Sequence, residues 1–164
     1  MLARDDADNQ TRQINVRRMN TILHAGDTAL KSHIKDGGRW LGLDTQADGS
    51  VTGNRMLCGV LDTSRPIHIN GWDGSQNSTK CYSGDNPILG SLVYSKDAGN
   101  MTLYSYFDLL ANFNVHWSQD GMVCKAIHKR RHDIVINFRF RVEGFERVLM
   151  ADVSNIWRQL TDLR

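Results

Sequence analysis

At 164 residues, with 40% hydrophobic and 23% charged side chains, the chain is long enough for one core and too short for two independent domains. A net charge of +2 and a pI near 8.5 are too balanced to require a nucleic-acid or anionic-membrane partner. No apolar run approaches the roughly 18 residues of a membrane span, and Met1 to Asp6 carry no basic stretch leading into an apolar one, so neither membrane insertion nor a secretory signal is expected of the chain as it stands.

Of the 18 acidic residues 16 are Asp, and of the 20 basic residues 14 are Arg. Glu and Lys favour exposed helix faces whereas Asp belongs at caps and turns, so this balance predicts few helices and many turns. From about Asp8 to Asp36, Ile14, Met19, Ile22, Leu23, Leu30 and Ile34 recur at three- and four-residue spacing between Arg12, Arg17, Arg18 and Lys31. That period predicts an N-terminal amphipathic helix stopped by Gly37 and Gly38.

Residues 37 to 86 are dense in turn signals, among them Asp48-Gly49, Gly53-Asn54, Asn70-Gly71, Asp73-Gly74 and Ser83-Gly84, so short strands and ordered loops are expected there. Ile88 to Tyr94 and Met101 to Phe107 are expected to add strands, and Leu103 to Leu110 fits a short helix equally well. The clearest pattern runs from Leu110 to Met150. Ala111, Phe113, Val115 and Trp117 alternate with polar residues, and Asp120-Gly121 turns the chain into Met122 to His128. A turn over Lys129 to His132 then leads into Ile134, Ile136, Phe138, Phe140 and Val142, alternating with Val135, Asn137, Arg139 and Arg141, before Glu143-Gly144 turns into Phe145 to Met150. Four strands and three short turns predict an antiparallel meander with one apolar and one wet face. Val153, Ile156, Trp157, Leu160 and Leu163 repeat at helical spacing and predict a C-terminal helix.

The expected fold is therefore α+β: one domain in which an N-terminal amphipathic helix (1–36) and a short C-terminal helix (153–164) pack on a mainly antiparallel sheet (87–152), with a turn-rich region (37–86) between.

Chemical motifs are sparse. Nucleotide-binding glycine patterns are missing, and Asp44 to Ser50 lacks the regular oxygen ligands and terminal Glu of a calcium loop, so no cofactor or metal is expected. His128 and His132 have the spacing of a helical metal pair, but it falls across a predicted turn. His116 lies on the polar side of its strand, where Asp108 or Asp133 would complete the smallest kernel for acid and base chemistry, that of a hydrolase. Cys58, Cys81 and Cys124 cannot all pair within one chain; a bridge between Cys58 and Cys81 would imply an extracellular or virion-surface setting, three thiols a cytoplasmic one. Asn9, Asn77 and Asn100 open Asn-x-Ser/Thr sequons.

The basic residues form the most distinctive group. Lys125, Arg139 and Arg141 share the face opposite the apolar one, Arg147 is expected to join them, and Lys129, Arg130 and Arg131 crowd a hairpin tip. Arginine forks read phosphates bidentately, so this face is a candidate surface for nucleic acid or another polyanion, although it lacks the stacking aromatics of single-strand platforms. With so little catalytic material, the leading expectation is a structural or assembly subunit of a fibre, pilus or capsid that associates with itself or a protein partner. Polyanion binding and a His/Asp hydrolase are the alternatives.

Overall fold

The computed structural model describes residues 12–15, 39–45, 47–70, 78–143 and 146–164. Among them the chain is mostly β, with strands β1 (Arg12–Asn15), β2 (Trp40–Asp44), β3 (Val51–Thr52), β4 (Asp62–Asn70), β5 (Ser78–Asn86), β6 (Gly90–Tyr94), β7 (Thr102–Ser105), β8 (Phe113–Trp117), β9 (Val123–His128), β10 (Val135–Glu143) and β11 (Glu146–Asp152). Two short helices, α1 (Tyr106–Asn112) and α2 (Trp157–Thr161), complete it with three 3-10 turns.

This overturns the expected α+β arrangement of a helix laid on a mainly antiparallel sheet. The strands join in one mixed sheet of eleven, in the order β1-β4-β5-β6-β3-β7-β2-β11-β10-β9-β8. The only described part of the N-terminal segment, β1, is a strand running parallel to β4, and the rest of the expected helix lies outside the described residues. Ile14 and Val16 are β-branched and two apart, so this stretch satisfies the strand period as well as the helical one. Parallel pairs also join β2 to β7 and β3 to β6. The expected C-terminal helix is reduced to a 3-10 turn at Ser154–Ile156 followed by α2, with Ile156 and Leu160 buried.

Pairing along the C-terminal third follows chain order, antiparallel from β8 to β11. The turn between β8 and β9 is set by Gly121, whose φ of 73° is left-handed, and Asp120 Oδ1 accepts from Ser118 Oγ (2.6 Å) and Met122 N (3.0 Å). These bonds hold the Asp120 carboxyl below its ordinary range. On the other side, β11 continues into β2, where Leu149 faces Leu43 and Ala151 faces Leu41.

Strand alternation gives the sheet a core on each side. Leu41, Leu43, Tyr104, Leu149, Phe138, Cys124 and Ala126 belong to one, with Leu57, Ile88, Leu89 and Leu160 packed on them. Val51, Val93, Leu103, Met150, Ile67, Ile69 and Cys81 belong to the other, with Met101 and Ala98. The expectation of one wet face therefore fails over the centre of the sheet. Gly42 sits between Leu103 and Met150, and a Cβ there would meet Leu103 Cδ1 at 3.3 Å and Met150 Sδ at 3.4 Å, so its small size lets these side chains close over β2.

Asn86 fastens the first core to its surroundings. Its Nδ2 donates to Leu57 O and Leu160 O at 2.9 Å, and its Oδ1 accepts from Ile88 N (2.9 Å) and Leu89 N (3.0 Å). The buried amide thus joins the β5–β6 turn, the 3-10 turn at Arg55–Leu57 and α2. Asn86→Ala strands buried donors and acceptors, and we expect it to lower the unfolding free energy by about 2 to 4 kcal/mol. Denaturant titration checks this: the midpoint should fall with the slope unchanged.

Candidate interaction surfaces

The three strands β8, β9 and β10 position most of the basic residues. Lys125 pairs with His116 on one side and Asn137 on the other, and Arg139 lies two residues beyond Asn137 on the same face. Lys125 and Arg139 are exposed and make no ion pair among the described residues. Arg141 continues the row but turns its guanidinium over the Trp40 ring, 5.3 Å from the centroid, and its buried Nη1 has no hydrogen-bond partner among the described residues. Beyond Trp40 the face becomes apolar, as Gly42, Met101, Leu103 and Met150 line a small crevice of the second core. Arg147 pairs with Val142, the alternate register from Arg139 and Arg141, so the strand pairing does not bring it into this row.

Lys129, Arg130 and Arg131 stand apart at the β9–β10 tip, separated from Arg139 by the length of β10 through Val135 and Asn137. Six of the seven cations named from the sequence therefore form two groups rather than one patch, and Arg147 belongs to neither. Arg131 pairs with Asp133 at 3.5 Å, and Lys129 Nζ donates to Leu110 O at 2.9 Å.

His128 shapes this tip. Its buried ring accepts at Nδ1 from Arg130 N (3.2 Å) and Arg131 N (3.1 Å), which requires a lone pair there and places the proton on Nε2, 3.2 Å from Ile88 O. Phe113 packs edge-on against it at 5.0 Å. Burial, and then the nearby Arg130 and Arg131 charges, hold the imidazole pKa below its ordinary value, against the Ile88 bond and Asp133. His132 is exposed and bonds Lys129 O, so the two histidines do not converge. Among the described residues no group of three His, Cys, Asp or Glu could hold a metal ion.

Among the described residues the two carboxylates expected beside His116 make other contacts. Asp108 Oδ2 accepts from Ser50 Oγ at 2.6 Å, Asp133 pairs with Arg131, and exposed His116 lies beside Lys125. Cys58 sits in the first core and Cys81 in the second, so the bridge considered from the sequence is not formed, and all three cysteines are free and buried. Burial pushes the Cys58 and Cys124 thiols up to about 11 and raises Cys81. No helix among the described residues is long and apolar enough to cross a membrane.

One surface escaped the sequence reading. Phe107 and Leu110 project into solvent from α1, and Trp117 at the end of β8 is also exposed. Trp117 Nε1 donates to Tyr106 OH (3.3 Å) with ring centroids 6.4 Å apart, so the first turn of α1 and the end of β8 meet. The signal was present in Phe107, Leu110 and Ala111, an apolar i, i+3, i+4 set beside a second set that faces the core.

Two outcomes test this account. An unfolded His128 takes up a proton near its ordinary 6.5 and the folded one only at lower pH, so its share of stability is complete above that value and lost as pH falls through it. His128→Asn keeps an acceptor without titrating, and denaturation at pH 7.5 and 5.5, points roughly one unit either side of an ordinary His pKa, should show a smaller acid loss than in the wild type. Thiol titration with an aromatic disulfide at neutral pH should find no fast-reacting cysteine in the folded chain and three after unfolding.

Compared with known proteins, the chain matches no protein-family model, no curated protein and no solved structure.

Proposed function

We propose that this chain is a non-catalytic assembly subunit whose copies associate through the α1–β8 end of the sheet. The observation that carries the reading is the exposure of large apolar side chains there: Phe107 is 66% accessible, Leu110 42% and Trp117 41%. Leaving such groups in water forgoes about 25 cal/mol for each Å² that contact would cover, and clustered exposed aromatics mark association sites. The reading also accords with the dispersal of His116, Asp108 and Asp133 into separate contacts. A fibre, pilus or capsid is the kind of structure such a unit would build.

Sedimentation equilibrium over a wide concentration range tests it: the mean mass should rise with concentration, and the Phe107→Ser/Leu110→Ser variant, altered only at exposed positions, should weaken association by roughly tenfold or more. A constant monomer mass for the wild type would end the reading.

A second reading, binding of nucleic acid or another polyanion, is favoured by one observation: Lys125, Arg130 and Arg139 make no ion pair among the described residues. Binding to a mixed-sequence duplex should then weaken with salt, and Lys125→Ala and Arg139→Ala should each lower the log-log slope by about one. Equal slopes in the variants and the wild type would remove this reading.

A further inference from the structure

We infer that two copies of this chain join β8 to β8 in antiparallel register about a two-fold axis at Val115, an arrangement that rests on the assembly reading and names its partner. Among the described residues β8 ends the strand order, with β9 as its one neighbour. The flanking positions fix which way its backbone groups point. Lys129 N donates to Asn112 O at 3.0 Å and Ser118 N to Val123 O at 2.8 Å, both in register with the β8–β9 pairs. Hydrogen bonding alternates along an antiparallel strand, so Asn114 and His116 bond toward β9, and the main-chain groups of Phe113, Val115 and Trp117 face the open edge. The Phe113 amide is already used, donating to Leu109 O at the end of α1. Without a partner among the described residues are the Val115 N–H and C=O, the Phe113 C=O and the Trp117 N–H.

Those groups are self-complementary. With the axis at Val115, each Val115 N–H meets the other copy's Val115 C=O, and each Trp117 N–H meets the other copy's Phe113 C=O. On the core side Phe113 falls opposite Trp117, and on the outer side Asn114 falls opposite His116, so apolar meets apolar and polar meets polar. The strand Phe113-Asn114-Val115-His116-Trp117 carries none of the Lys, Asp, Glu or Pro residues that guard edges against pairing. Its nearest cation, Lys125, is one strand in, so the two copies' Lys125 backbones stand three strand spacings apart, about 14 Å. That exceeds the Debye length of roughly 8 Å in physiological salt, and the charged face does not oppose the contact. The contact uses the same strand on both sides, so by itself it closes as a dimer, and a fibre, pilus or capsid would be built from such dimers through a second surface.

The N114C/H116C double variant tests the register. In the β8–β8 ladder, positions 114 and 116 form a pair without backbone hydrogen bonds, about 4.5 Å between Cα atoms and within disulfide range. Both sites are exposed, and the native cysteines are buried. Mild oxidation should double the mass, reversibly with reductant, and peptide mapping should find position 114 of one copy linked to 116 of the other. If the wild-type mass rises with concentration but no such link forms, this pairing is wrong and self-association stands. If the wild type stays monomeric at every concentration, both fall together.

Discussion

The constraint on which the rest depends is the burial of β2 on both faces and both edges. This five-residue strand lies between β11, antiparallel to it, and β7, parallel to it. Leu41 and Leu43 enter the first core, and between them Gly42 admits Leu103 and Met150 to the second. A central strand with no edge and no free face must satisfy every backbone group by pairing and every side chain by packing. Here one segment does this for two parts of the sheet, the antiparallel run from β8 to β11 and the mixed run from β7 to β1.

Polar groups enter the interior where they connect segments rather than where they could do chemistry. Asn86 uses four hydrogen bonds to hold a turn, a 3-10 turn and α2 together. Ser105 Oγ donates to Ala47 O, Ser50 Oγ accepts from Ser105 N and donates to Asp108, and Thr52 meets Thr102 at 2.7 Å. These contacts align the loop after β2 with β3, β7 and α1. Fully engaged groups of this kind favour one arrangement of the core over others.

How much was readable from the residues depended on whether the signal was local. The faultless alternation of Ile134 to Val142 and the Asp120-Gly121 turn define β10 and its neighbours, because period and turn chemistry are both written in consecutive residues. They also put Lys125 and Arg139 on one face. Nothing in Trp40 to Asp44 says that this strand pairs with residues 103–105 and 149–152, because alternation gives a strand its faces and not its neighbours. The parallel pair with β7 and the closing of Leu103 and Met150 over Gly42 follow from that unreadable choice. Arg147 shows the same limit: counting charges put it with Arg139 and Arg141, and the offset of the β10–β11 register separates it from them.

The threading of β2 also dictates an order of events. Residues 40–44 are synthesised before either partner, one coming from residues 103–105 and the other from residues 149–152. Contacts this distant in sequence carry a large loop-closure cost and slow folding. On the ribosome, an apolar strand with both sides unpaired must wait for more than a hundred further residues before its second neighbour emerges. During that interval the nascent chain exposes a template for mispairing, and a holding chaperone would be most useful to it.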